Sequence, residues 1–131
     1  MIPASDDSIS LATAIVRGLR LRCPRCGEGH LLAGYLRPVE HCSSCQLPIG
    51  EIRADDGPPW LTLIVTGHLL APFLVLIFMS DALPVWASTA IMCLLAVGMC
   101  LALLPRAKGL FIAAIWKLGA APHSEEDSAA D

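Results

Sequence analysis

Two stretches of the chain, Trp60 to Met79 and Val85 to Leu104, contain no Asp, Glu, Lys or Arg. Neither shows a polar stripe at helical spacing, so neither reads as a surface helix of a soluble bundle. A 20-residue helix is about 30 Å long, the thickness of a bilayer's hydrocarbon core. The first stretch carries twelve Leu, Ile, Val or Phe residues. On the insertion scale these favour membrane entry by about −4 to −7 kcal/mol, which Gly67, His68 and Pro72 reduce without reversing. The second has eight such residues and many small ones, and is expected to insert partly by packing on the first. The connection from Ser80 to Pro84 is short, so the two spans form a hairpin.

The flanks predict further elements. Residues 1–7 read as disordered, and from Ser8 to Leu21 the residues Ile9, Ala12, Ile15, Val16 and Leu19 fall at helical spacing with Arg17 and Arg20 offset. That is an amphipathic helix. It can pack on the module that follows or lie in the bilayer interface with its arginines toward anionic headgroups, and the interface is the preferred placement. Asp55-Asp56-Gly57-Pro58-Pro59 reads as an acidic turn opening the first span, with carboxylates complementing the helix dipole. Pro105 is expected to break or bend the chain, because a helix running on to Leu118 would far exceed the bilayer. Leu110 to Leu118, with Trp116 and Lys117, is then a short interfacial helix. Pro122 to Asp131 is an acidic, disordered tail. The organisation is a tail and amphipathic helix over 1–20, a cysteine module over 21–55, the hairpin over 56–105, and an interfacial helix with tail over 106–131.

Composition agrees with a small membrane protein. The 131 residues are 55% hydrophobic, and the mean hydropathy is +0.62, too apolar for an ordinary soluble domain. The opening residues, with Asp6 and Asp7, do not resemble a signal peptide, which leaves the first span as its own insertion signal. Of the nine basic residues, Arg17, Arg20, Arg22, Arg25, Arg37 and Arg53 precede the spans and Arg106, Lys108 and Lys117 follow them. By the positive-inside rule both termini face the cytoplasm, and the loop, with Asp81 its only charge, faces outward.

The strongest chemical motif is Cys23-Pro-Arg-Cys26, fifteen residues, then Cys42-Ser-Ser-Cys45. Each C-x2-C turn aims two thiolates at one point while its backbone amides soften their charge. The intervening stretch can return as a short hairpin through Tyr35 to Val39, so that four sulfurs meet tetrahedrally around zinc. With four thiolates there is no open coordination position, so the site is structural, and the module is too small to fold without its metal. Gly27 follows the first knuckle, whereas Gln46 stands at the equivalent place in the second, where the backbone is expected to be less relaxed. Replacement of a cysteine by His30 or His41, and a redox role for the two C-x2-C pairs, are weaker alternatives. A reducing cytoplasm argues against the redox role.

His68, Cys93, Cys100, Met92 and Met99 lie inside the spans, where polar or soft groups are functional candidates. Antiparallel depth puts His68 level with about residue 96, and imidazole with thiolates would suit copper. The preferred account is structural, with His68 neutral and hydrogen-bonded to a backbone carbonyl, Thr62 or Thr66, and with Gly67/Ala71 and Gly98/Ala102 as small-x3-small pairs for close helix packing, within the hairpin or between chains. Asp55 and Asp56 have no nucleophile or oxyanion donors around them, so no enzymatic activity is expected. Nucleic acid is a poor partner for a chain of net charge −3 with a single tyrosine, whose basic cluster sits beside a membrane.

The run Leu21-Arg22-Cys23-Pro24-Arg25-Cys26-Gly27-Glu28-Gly29-His30-Leu31, the second knuckle, the turn Asp56-Gly57-Pro58, the two spans, and Pro105-Arg106-Ala107-Lys108-Gly109-Leu110 resemble a bacterial family known as domain of unknown function 983. The resemblance covers about residues 17 to 118. It implies a short inner-membrane protein with a cytoplasmic zinc ribbon. Through gene neighbourhoods containing haem-copper oxidase assembly factors, it also implies a non-enzymatic accessory role for a respiratory oxidase. On this reading the partners are membrane lipids and an oxidase subunit or assembly factor.

Overall fold

The computed structural model describes residues 8–54, 56–80 and 82–119. The expected disordered tails, Asp55 of the acidic turn and Asp81 of the loop lie outside those residues. Three α-helices follow in order: α1 Leu11–Leu19, α2 Gly57–Met79 and α3 Val85–Leu118.

α1 is shorter than the apolar spacing predicts because both its ends are fixed locally. Ser10 caps the start, its Oγ accepting from the Thr13 N–H at 3.2 Å. At the other end Leu21 takes a left-handed φ of 58°. The Arg22 N–H then returns to the Arg17 carbonyl and the Leu21 N–H to that of Gly18, a Schellman pattern without the usual glycine.

α2 opens on Gly57-Pro58-Pro59, where prolines lose no intrahelical bond, although the side chain of its N-cap Asp56 makes no cap hydrogen bond. α2 and α3 are both long and apolar enough to cross a membrane, each with a window of mean hydropathy 2.3. Their apolar side chains are also bare: Leu76 is 65% exposed, Phe78 73% and Leu94 75%. Trp60 and Trp86, at opposite ends of the hairpin, are exposed as well, in the places aromatic belts occupy. Such a surface needs lipid rather than water.

The expected break at Pro105 does not occur. α3 runs unbroken from Val85 to Leu118 with Pro105 inside it, about 51 Å at helical rise. Its length exceeds a bilayer because only its first part is lipid-like. From Pro105 onward a stripe of Pro105, Ala107, Gly109, Ile112, Ala113 and Trp116 is buried, and the separate interfacial helix at Leu110 to Leu118 is replaced by a core-forming extension. Trp116, expected at an interface, is 2% exposed.

One core joins everything at this end of the molecule. It gathers Ala14 of α1, Cys23, Leu31, Cys42, Leu47, Ile49 and Ile52 of the cysteine module, and Ile112 and Trp116 of α3. α1 meets α3 at Gly18 and Gly109, where a Cβ on Gly18 would sit 2.7 Å from that of Ala113 and clash with the Gly109 carbonyl. By contrast, a Cβ on Gly67 or Gly98 would meet nothing within 4 Å. The small-x3-small pairs therefore do not make the hairpin's own contact, and its buried seam carries Thr62 and Thr66 instead. α1 buries Ala14 and Gly18 and leaves Leu11, Val16 and Leu19 exposed.

Candidate metal centre

Both knuckles are built by the same local turn. The Gly27 N–H donates to the Cys23 carbonyl at 2.9 Å, and the Gln46 N–H donates to the Cys42 carbonyl at 3.0 Å. Gly27 and Gln46 both have left-handed backbones, φ 75° and 59°. Gln46 thus adopts the conformation a glycine would accept without steric cost. Each knuckle is then closed by further bonds, and the first is tied to α1. Cys23 N–H donates to the Gly29 carbonyl, Cys42 N–H to Leu47 and Gly50 N–H to Glu40, while Arg17 Nη1 donates to the carbonyls of Pro24 at 3.2 Å and Arg25 at 2.9 Å. Arg17 is therefore a brace for the first knuckle, and is not free for a lipid headgroup.

The expected hairpin between the knuckles is reduced to one isolated bridge, Leu32 with Pro38, while a second, Arg22 with His30, brackets the first knuckle. A turn closed by the Ala33 N–H on the Arg37 carbonyl at 2.8 Å puts Tyr35 at its tip.

The sulfurs of Cys23, Cys26, Cys42 and Cys45 all lie within 4.8 Å of one another. Cys23 approaches Cys45, and Cys26 approaches Cys42, at 3.6 Å, so the contacts run between knuckles rather than along each C-x2-C pair. A metal about 2.3 Å from four tetrahedral sulfurs sets them about 3.8 Å apart, and the observed spacing fits such an ion. The cradle is closed on one side by Gly29, whose missing Cβ would collide with the Cys42 sulfur. The four cysteines can hold a metal ion. His30 and His41 are exposed and are not part of this ligand group.

Electrostatics add to the case. Burial pushes the Cys23 thiol up, against the backbone N–H groups of Cys26 and Arg25. Cys26 moves the other way, to about 6: burial opposes ionisation, but the N–H groups of Gly29 and Glu28 and the neighbouring thiols of Cys42 and Cys45 overcome it. Cys45 is raised, chiefly by burial, despite the Leu47 N–H and the Cys23 thiol. Thiols this close cannot all ionise unless a cation joins them, so metal entry would release protons.

The candidate copper residues are not brought together. His68 Nδ1 lies 2.8 Å from the Ile64 carbonyl oxygen, Cys100 Sγ lies 3.7 Å from Thr66 Oγ1, and Cys93 is exposed in a groove lined by Leu74 and Met92. Among the described residues, the four-cysteine cluster is the one group of three or more potential His, Cys, Asp or Glu ligands.

Sequence reasoning missed Arg17 as a brace, and it missed Tyr35. The Tyr35 hydroxyl donates to the Leu101 carbonyl inside α3. The signal for it was indirect: a proline at 105 leaves the carbonyl at 101 without its helical donor.

Fold and site together define a class, the small membrane hairpin that carries a four-cysteine ribbon at one end. A family profile matches residues 32–116, about two thirds of the chain, and the chain belongs to that family, described as Protein of unknown function (DUF983). The match begins after the first knuckle, so α1, Cys23 and Cys26 lie outside it. No curated protein and no solved structure matched the chain.

Proposed function

We propose that this protein is a non-enzymatic accessory or assembly factor of the bacterial inner membrane, in which a structural zinc ion holds a docking platform against a transmembrane hairpin. Four thiolates around a closed cradle suit zinc and leave no position for a substrate. The observation that carries the reading is the single core uniting the ribbon, α1 and the extension of α3. That core makes the metal module a rigid part of the membrane helix rather than a tethered finger. The bare lipid-level faces of α2 and α3 would pack on a partner's helices, and the platform would engage the partner's cytoplasmic surface. Both termini are assigned to the cytoplasm. The gene neighbourhoods associated with the family make a respiratory haem-copper oxidase, or one of its assembly factors, the proposed partner.

The test is a mild-detergent pull-down from native membranes, quantified by mass spectrometry against an unrelated tagged hairpin. Oxidase subunits or assembly factors should be enriched by the wild type and lost with Cys42→Ala, which removes the platform. Enrichment that survives loss of the metal would contradict docking through the ribbon, and recovery of the bait alone would contradict the accessory role.

A further inference from the structure

Pro105 sits within α3 and has no N–H, so the Leu101 carbonyl one turn earlier is deprived of its helical donor. At lipid depth a carbonyl without a donor is costly, and membrane helices keep an internal proline when a neighbouring side chain supplies one. Here the donor is the Tyr35 hydroxyl, while Arg106 Nη1 donates to the adjacent Ala102 carbonyl at 2.8 Å. The Arg106 bond is an addition at the neighbouring carbonyl, whereas the Tyr35 hydroxyl replaces the one donor that the proline removes. Arg106 belongs to α3 itself and moves with it. Tyr35 arrives from the ribbon, 66 residues away in sequence.

Tyr35 is held where it is by the metal module. It lies at the tip of the turn between the knuckles, closed by the Ala33 to Arg37 bond and the Leu32–Pro38 bridge. The base of that turn hangs on buried Leu31, whose N–H donates to the Leu21 carbonyl and whose carbonyl accepts from Val39 at 3.1 Å. On one side the chain runs to Cys26, on the other to Cys42. Without a metal to gather these cysteines, so small a ribbon lacks the core to fix its loop.

We propose that the four-cysteine centre and the second membrane helix are coupled through Tyr35: metal binding positions its hydroxyl on the carbonyl freed by Pro105 and so holds α3 continuous through that turn. Loss of the metal withdraws the donor and loosens α3 at that turn, changing the angle between platform and hairpin. Zinc occupancy is thereby reported along α3 to whatever packs against the hairpin. The inference rests on a metal at the four cysteines and is independent of any partner's identity.

Tyr35 is the only tyrosine in the chain, so 3-fluorotyrosine labels it uniquely. The experiment is 19F NMR of the full-length labelled protein in lipid nanodiscs, with metal content measured on each sample, alongside hydrogen exchange of α3. The metal-loaded wild type should give a resonance that chelation shifts to the position of a free phenol. Pro105→Ala restores an N–H for Leu101 and should shift the resonance toward that position with metal still bound. In exchange, Tyr35→Phe should speed the amides just after Pro105 by about five- to tenfold in the wild-type background, the scale of one lost hydrogen bond. In Pro105→Ala it should have no effect.

An unmoved resonance on verified metal loss would overturn the coupling. Equal Tyr35→Phe effects in the two backgrounds would overturn the role of the proline. If the wild type holds no metal at all, the zinc reading fails, while the comparison of Tyr35→Phe in the two backgrounds still tests the bond to Leu101.

Discussion

Two glycines of the same helix should respond in opposite ways to the same substitution. Replacing either Gly98 or Gly109 by alanine gains about 1 kcal/mol of helix propensity. At Gly98 a Cβ meets nothing within 4 Å, so the gain stands and the change is neutral or stabilising. At Gly109 the Cβ would clash with the Gly18 carbonyl oxygen, lie 3.1 Å from the Gly18 carbonyl carbon and 3.2 Å from Leu21 Cδ2. Leu21 can turn aside, but the Gly18 backbone cannot move without shifting α1 off α3. Overpacking of this kind costs about 1–3 kcal/mol. Because the obstruction is backbone, the upper part of that range applies, leaving about 1–2 kcal/mol of net destabilisation. The opening of α1 from α3 should become roughly 5- to 30-fold more frequent. Hydrogen exchange of the segment containing Leu11–Leu19 reads it directly, in nanodiscs and with metal bound. Wild-type protection of α1 in Gly109→Ala, or equal loss of protection in Gly98→Ala, would refute the reasoning.

Other consequences can be measured independently. Arg17→Met keeps the aliphatic stem but removes both bonds to the first knuckle, and should destabilise the ribbon by about 1–3 kcal/mol, seen as faster metal release to a competing chelator. The Gly29 and Glu28 amides that hold the Cys26 thiol down, to about 6, belong to the folded knuckle, and chelation, which unfolds the ribbon, removes them. Alkylation mapped by mass spectrometry should spare all four cysteines while zinc is bound and strike them at similar rates once it is chelated; a Cys26 that still reacts well ahead of Cys23 would show that the knuckle keeps its fold without metal. A cysteine introduced at Ala82 should be labelled by a membrane-impermeant maleimide from outside intact cells, as expected from the basic residues gathered at the other end of the hairpin. Labelling only after lysis would reverse the orientation.

What was legible in the sequence depended on whether its cause was local. The two spans are written in composition alone, and the four cysteines in their spacing, because a knuckle needs only its own few residues to aim two sulfurs. Even the awkwardness of Gln46 was readable, since a left-handed position after a C-x2-C turn is a property of that turn. The continuity of α3 was not. The proline rule accounts for the hydrogen bond that Pro105 removes, but the replacement donor, Tyr35, comes from a distant loop that only the folded ribbon brings near. Trp116 was misplaced for a related reason: an aromatic beside a lysine after a span suggests an interface, whereas burial depends on α1 and the ribbon covering that face. Small-x3-small spacing in Gly67/Ala71 and Gly98/Ala102 says that close approach is permitted, not that it happens. The close approach is made instead by Gly18 and Gly109, which belong to different helices and form no motif together. His68, Cys93 and Cys100 were suggested by residue type and depth, but the two cysteines, on one face of α3, stand about 10 Å apart along it, and His68 Nδ1 lies against the Ile64 carbonyl of its own helix.

A structural zinc ion at the four cysteines is tested most directly by elemental analysis of protein purified in mild detergent without added metal. One zinc per chain, lost in Cys42→Ser and retained in Cys93→Ser/Cys100→Ser, is the predicted result. Copper that disappears with Cys93 and Cys100, or a wild type with no bound metal, would contradict it.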